Sequence, residues 1–166
     1  MANLNFDYGT TRNYASAGLV AATTSTWTST VTTNCAINGK FCTTLAPATA
    51  AASPTSDAST GLPFVPLQPN QACMLVFGQN AAGQIRLCQG PITPTSLGVT
   101  TTPGALILDP QFPALPNDFV ALAYTIVRTA PSAAPWTPGT GSWTASGVVA
   151  STFQNISDLP NRPQVS

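Results

Sequence analysis

The sequence has no histidine and no glutamate, and only 6% of its 166 residues are charged. Histidine and glutamate are the commonest general acids and bases, and glycine-rich phosphate loops are also missing, so the composition argues against an enzyme. The acidic residues are all aspartates in turn-like settings, where Asp is more often a turn former than a catalyst; they are Asp7, Asp57, Asp109, Asp118 and Asp158. We therefore expect no catalytic residues and no cofactor.

The chain also has no excess of either positive or negative charge, since its formal net charge is zero. A neutral chain has no electrostatic footprint for nucleic acid or for an anionic membrane, so we expect neither as a partner. No apolar run approaches the ~20 residues that span a bilayer. The N-terminus lacks the basic start and apolar run of a signal peptide, which predicts a protein made in a cytoplasm.

Cysteine is sparse, with four residues at positions 35, 42, 73 and 88. In a chain without a secretion signal these are expected to be reduced thiols rather than a disulfide framework. Their spacing contains no C-x-x-C motif and no histidine is available, which argues against a zinc site. We expect no metal ligands.

Hydrophobic residues make up 43% of the chain, which argues against disorder. The most apolar stretch runs from Phe119 to Arg128, between Pro116 and Pro131. Its β-branched and aromatic content favours a strand over a helix. Both alternating faces are apolar, one including Ala121 and the other carrying Leu122 with Tyr124, so we predict a strand covered on both sides at the centre of the core.

The segment around Asn38-Gly39 predicts a hairpin with a two-residue type I′ turn. That register sets Ile37 opposite Lys40, Ala36 opposite Phe41 and Cys35 opposite Cys42. Directly opposed residues lie ~5.5 Å apart at Cα, so a Cys35–Cys42 disulfide is feasible in an oxidising medium. The favoured interpretation is two small buried apolar groups on one face.

A second hairpin is predicted from Ala72 to Gly90, with Gly83 closing a bulged turn. A plain turn at Asn80-Ala81 would set Cys73 opposite Cys88, whereas the bulged turn does not. We favour the bulged turn and do not expect that disulfide.

The rest of the chain reads as short strands and proline-rich connections. Residues 46–61 are predicted to be a surface loop, residues 62–70 an extended edge segment and residues 105–108 a strand. A last strand pair is predicted around 142–153, with Trp143 in the core. Seven or eight short strands favour an all-β, single-domain sandwich or barrel over residues 26–166, preceded by an extended arm over residues 1–25.

Four stretches, in order, resemble a group of small bacteriophage virion proteins: TTNCAINGKFCTTL, CMLVFGQNAAGQIRLCQGP, FPALPNDFVALAYTIVR and ISDLPNRPQVS. The resemblance implies a capsid decoration (cement) protein, or another minor virion component, with a jelly-roll or β-tulip-like sandwich. It also implies a protein made in the host cytoplasm that binds the major capsid protein on the outer surface of the virion, as a dimer or trimer.

The predicted arm supplies the candidate contact residues for the capsid or for a neighbouring subunit: Phe6, Tyr8, Arg12 and Tyr14. The alternative is that these aromatics cap the domain's own core. A rival function is a tail-fibre or adhesin module that binds host glycans through exposed Trp27 and Trp136, the latter lying in a Pro- and Gly-rich loop.

Overall fold

The computed structural model describes residues 11–22 and 24–157, and over these ranges it is all-β, as predicted. Twelve strands form three sheets, more and shorter strands than the seven or eight expected. They are β1 (Arg12–Asn13), β2 (Val20–Ala21), β3 (Thr26–Ser29), β4 (Cys35–Ile37), β5 (Lys40–Phe41), β6 (Ala48–Ala52), β7 (Gln71–Gln79), β8 (Ile85–Gln89), β9 (Thr93–Pro94), β10 (Val120–Thr129), β11 (Val148–Ala150) and β12 (Gln154–Asn155).

The largest sheet is built around β10, the predicted central strand. β10 is buried along its length except for half-buried Arg128. It pairs antiparallel with β7 on one side, and β7 pairs in turn with β8 and β9. On its other side β10 pairs antiparallel with both β11 and β12. The last two strands therefore lie one after the other along the same edge of β10 and do not pair with each other as predicted.

A β-bulge in β10 changes which residues share a face. Ala121 lies opposite Gly78 and Ala123 opposite Phe77, which leaves Leu122 as the extra residue. The strict alternation predicted for this strand is therefore wrong: Leu122 packs in one cluster of the core and Tyr124 in the other. Gly78 allows Phe119 and Val120 to approach closely beside the bulge, since an added Cβ would meet the ring of Phe119 and the carbonyl oxygen of Val120.

Both hairpins have the predicted registers. In the first, Ile37 faces Lys40 and Ala36 faces Phe41, while positive φ angles at Asn38 (51°) and Gly39 (76°) form the type I′ turn. In the second, the Gly83 N–H donates to the Asn80 carbonyl (3.0 Å) and Gly83 has φ of 77°, as a bulged turn requires. Cys88 consequently lies opposite Val76 rather than Cys73.

The two faces of the large sheet are covered in different ways. The sheet β2-β3-β6 packs on one face, where Leu19 and Trp27 meet Leu75 and Phe77. Loop residues cover the other face, with Phe112 edge-on to the ring of Tyr124 at 5.2 Å between centroids. The layers form a single-domain β-sandwich, with a third small sheet, β1-β4-β5, at the Val120 end of β10.

Two predictions for the connecting segments differ from the structure. Residues 48–52 are strand β6 rather than loop, because small alanines pair there with β3 and the Ala52 carbonyl accepts from the Trp27 indole (3.1 Å). Residues 105–108 contain a single bridge, Leu106 to Thr95, instead of a strand. Residues 62–70, expected to be an extended edge segment, make isolated bridges from Pro63 to Ser56 and from Leu67 to Trp136.

Candidate functional site

The small sheet β1-β4-β5 has one face turned inward and one outward. Cys35 and Ile37 of β4 face inward and pack on Val120 at the start of β10. The register sets Arg12, Ala36 and Phe41 side by side on the outer face. Ala36 is 2% exposed, so the larger side chains on either side cover it.

Tyr14 and Phe41 form an exposed aromatic pair on this outer face. Tyr14 is 53% exposed and Phe41 75% exposed, and their ring centroids are 6.1 Å apart with the planes tilted by 45°. The Tyr14 N–H donates to the Asn34 carbonyl (2.7 Å), which continues the β1–β4 pairing and fixes the position of the tyrosine. We name the surface made by Arg12, Tyr14 and Phe41 the aromatic platform.

The platform contains two of the four predicted contact residues, Arg12 and Tyr14. Phe6 and Tyr8 lie outside the described residues. Phe41 was missed, although the hairpin register carried the necessary signal: if Cys35 and Cys42 face the core together, then Phe41, next to Cys42, must face away from it.

A cavity of about 320 Å³ lies near the platform, at the turn of the first hairpin. Its lining includes the polar residues Thr11, Asn38, Asn117 and Ser157 together with apolar Phe119. The Asn38 N–H donates to the Thr11 hydroxyl (3.0 Å), so the lining is tied together by neutral hydrogen bonds. The lining that the structure describes carries no charged side chain.

Cys35 and Cys42 lie across the first hairpin, and the Cys42 N–H donates to the Cys35 carbonyl (3.0 Å). Both are free thiols here, with Cys35 buried and Cys42 half-buried. Burial, followed by the neighbouring Cys42 thiol, raises the pKa of Cys35 to about 12. The arrangement agrees with two small groups on one inward face, and the feasible disulfide between them stays a prediction.

The tryptophans are all in the core, which removes the basis for the glycan-binding hypothesis. Trp27 is 4% exposed, and Trp136, whose exposure the glycan-binding hypothesis required, is 2% exposed. Trp136 packs against Trp143 with 5.2 Å between ring centroids, and its indole N–H donates to the Ser142 carbonyl (2.9 Å). An indole whose polar edge and ring are both occupied cannot stack on a sugar.

Polar groups that could carry chemistry are dispersed or used structurally. Within residues 11–22 and 24–157, no group of three or more His, Cys, Asp or Glu side chains could hold a metal ion. Asp57 is a turn former, as predicted: its carboxylate accepts from the Ser59 N–H and hydroxyl, both at 2.8 Å. Over the same ranges, none of the chain forms a helix that is long and apolar enough to cross a membrane.

Comparison with known proteins identifies no relative, so the function is inferred from the fold and the surface of this chain. No protein-family model, no curated protein and no solved structure matches this chain. The fold and the candidate site together define a neutral all-β domain that exposes an aromatic platform at one end.

Proposed function

We propose that this chain is a bacteriophage capsid decoration protein, which binds the major capsid protein on the outer surface of the virion and stabilises the shell. The observation that carries the proposal is the aromatic platform, with Tyr14 and Phe41 more than half exposed in a chain where most large apolar groups are buried. In this proposal the protein acts by binding, without catalysis, after synthesis in the host cytoplasm.

The chemistry of the platform suits a protein partner. Tyr, Phe and Arg are enriched at protein interfaces. The aromatic rings bury a large area with few rotatable bonds, and the Arg guanidinium offers five hydrogen-bond donors. The platform rests on a paired sheet through Ala36 and Tyr14. Its backbone is therefore already ordered, and little conformational freedom is lost when a partner binds. A net charge of zero also avoids long-range repulsion from an acidic shell.

The platform also adjoins the predicted arm, because Arg12 and Tyr14 belong to both. Residues 11–22 are part of the folded body: β1 pairs with β4, β2 pairs with β3, and Ala17 and Leu19 are fully buried. Contact residues on this segment are therefore presented from a fixed position. This favours a docking surface that exists before the shell is met.

The proposal is tested by adding the purified protein to capsids that lack it and measuring occupancy by cryo-electron microscopy. Copies at regular sites on the outer shell are expected for the natural chain. Replacing both Tyr14 and Phe41 by serine should weaken shell binding at least about tenfold, since loss of an interface anchor typically costs more than 1 kcal/mol. Val31→Ser, at a position that is 43% exposed outside the platform, is the matched control.

Three results would reject the proposal. Copies found only at the tail, or on no particle, would exclude decoration of the head. Equal shell occupancy by the natural chain and the Tyr14/Phe41 double variant would exclude the platform. In the third result the natural chain leaves the shells unoccupied but binds a glycan array, and the double variant loses that glycan binding. This result would instead identify an adhesin that uses the rings of Tyr14 and Phe41.

A further inference from the structure

A second cavity, of about 460 Å³, lies beside the end of β8. Its walls are mainly apolar and include Val65, Ile92 and Phe112, whereas Asp57 and Gln89 bring the polar side chains. Ligand sites in proteins commonly have this size and composition, in which a few polar groups fix the orientation of a ligand that apolar walls surround. The cavity is therefore a candidate binding site.

The walls of this cavity are held in place by neighbouring groups. The side-chain oxygen of Gln89 accepts from the Val65 N–H (2.9 Å), and its amide nitrogen donates to the Val65 carbonyl (2.8 Å). The ring of Phe112 packs edge-on to Tyr124 with 5.2 Å between centroids. A cavity whose walls are already fixed loses little conformational freedom when a ligand enters.

Asp57 is 8% exposed, and only one of its two carboxylate oxygens is used within the fold. Oδ1 accepts from both the N–H and the hydroxyl of Ser59. Over residues 11–22 and 24–157, Oδ2 accepts no hydrogen bond and Asp57 forms no ion pair. The enclosed side-chain atoms without a hydrogen-bond partner in those ranges are Ser53 Oγ and Thr95 Oγ1. Oδ2 is thus not enclosed, and it is open to the cavity that Asp57 lines.

The charge of this carboxylate acts on the interior of the protein. Burial, and after it the charge of Asp57, raises the pKa of the Cys88 thiol to about 12. Arg86 acts on Cys88 in the opposite sense, but its side chain is exposed and makes no ion pair with Asp57 in the part of the chain that the structure describes. Buried charges are normally paired because removing them from water is costly. The cavity therefore offers a negative group that lacks a counter-ion.

We propose that this cavity binds an organic cation, with an ammonium or guanidinium group at Asp57 Oδ2 and an apolar stem against Ile92 and Phe112. A hydrogen bond between two charged groups is shorter and stronger than one between neutral groups. A neutral or anionic ligand of the same shape leaves the carboxylate unpaired and is selected against. A free amine and a Lys or Arg side chain of a partner protein share the required chemistry.

This site is separate from the aromatic platform. The Gly90 N–H at the cavity donates to the Met74 carbonyl (2.7 Å), and Met74 pairs with Ile126 of β10. The platform sheet packs instead on Val120, and the step from Val120 to Ile126 covers about 20 Å of strand. The inference therefore goes beyond the proposed function, and it is tested without shells.

Isothermal titration calorimetry of the full chain with phenethylammonium chloride tests the proposal, with 2-phenylethanol as a neutral probe of nearly the same shape. The ammonium probe should bind at least about tenfold more tightly, because it alone pairs with the carboxylate. Asp57→Asn should abolish this preference, since it keeps the Oδ1 acceptor for Ser59 but replaces the open oxygen by an amide. Asp118→Asn removes the same charge at an exposed position outside the cavity lining, so it should retain the preference.

A third probe, N-acetyl-lysine methylamide, distinguishes the two sources of the cation. Tighter binding of this probe than of phenethylammonium, lost in Asp57→Asn, would identify a side chain of a partner protein as the ligand. The reverse order, also lost in Asp57→Asn, would identify a free amine.

The proposal is rejected if no cationic probe binds, if phenethylammonium and 2-phenylethanol bind the natural chain equally, or if Asp118→Asn loses the preference as fully as Asp57→Asn. Circular dichroism verifies that each variant is folded. If Asp57→Asn does not fold, Ala114→Phe replaces it, because Ala114 is an exposed residue of the lining from which a larger side chain can fill the cavity. This variant must weaken phenethylammonium binding at least about tenfold.

Discussion

Trp136 and Phe41 show how far the position of one aromatic ring depends on what surrounds it. Trp136 lies in a Pro- and Gly-rich loop, yet it is 2% exposed because Leu67 bridges to its backbone and Trp143 packs on its ring. Phe41 lies in a hairpin strand, yet it is 75% exposed because its neighbour Cys42 occupies the inward face. Loop composition does not reveal the first placement, whereas strand parity predicts the second.

The core cysteines behave as apolar groups whose ionisation the fold opposes. Burial raises the pKa of Cys73 and that of Cys88 each to about 12, and Asp57 adds to the effect at Cys88. Burial outweighs the groups that favour a thiolate, which are the Gln89 amide at Cys73 and the Ser59 N–H with the Arg86 guanidinium at Cys88. These thiols should therefore stay protonated and unreactive in the folded protein at neutral pH.

We predict that alkaline pH destabilises the protein through these thiols. The pKa of Cys73 rises from 9.0 to about 12 on folding, so the unfolded chain loses this proton first. The stabilising contribution is complete below about pH 9 and is lost as the pH rises towards 12. Urea unfolding at a series of pH values should show this decline, and Cys73→Ala should reduce its slope. Identical slopes for the two proteins would contradict the assignment.

At the scale of elements, short polar side chains replace strand pairing where the backbone is irregular. The side chain of Asn155 in β12 accepts from the Leu19 N–H (2.7 Å) and donates to the Leu19 carbonyl (3.0 Å). It thus acts as one rung of a β-ladder between the N-terminal segment and the large sheet. In the sequence Asn155-Ile156-Ser157 reads as a glycosylation motif, which gives no hint of this role.

We predict that Asn155→Ala destabilises the protein by about 1–3 kcal/mol, because both backbone groups of buried Leu19 lose their partner. Gln154→Ala, on the neighbouring residue, should change stability by no more than about 0.5 kcal/mol. Chemical denaturation of the three proteins measures the difference. Equal losses from the two variants would show that the Asn155 contacts add nothing to stability.

Buried Gln79 at the end of β7 connects the large sheet to the segments that flank the small one. Its amide donates to the Thr43 carbonyl (3.0 Å) and its side-chain oxygen accepts from the Thr33 hydroxyl. The Thr33 hydroxyl in turn accepts from the Leu45 N–H (2.9 Å). This chain of neutral hydrogen bonds helps to hold the platform sheet in a fixed orientation on the sandwich.

At the scale of the whole molecule, the near absence of charge leaves packing and neutral hydrogen bonds to stabilise the fold. Formal charges make up 6% of the chain and sum to zero. The aromatic platform lies on the small sheet that packs at the Val120 end of the central strand. A body without net charge that exposes such a platform is suited to binding other uncharged surfaces.

We predict that the stability of this protein is nearly independent of sodium chloride concentration, because salt screens charges and the chain has few. The thermal midpoint should change by less than about 2 °C between low and moderate salt. Ammonium sulfate should raise it, since excluded salts strengthen apolar burial. Differential scanning calorimetry measures both effects. A large decrease of the thermal midpoint on adding sodium chloride would show that ion pairs contribute substantially to stability.

Local sequence patterns were enough to predict the all-β class, the central strand and both hairpin registers. Each follows from local chemistry: β-branched runs bounded by proline, Asn38-Gly39 at a type I′ turn, and Gly83 in the left-handed position. The tertiary structure alone decided the bulge at Leu122, the burial of Trp136 and the pairing of β6. It did so because these depend on partners far along the chain, whose packing outweighs the local preferences of loops and alternating strands.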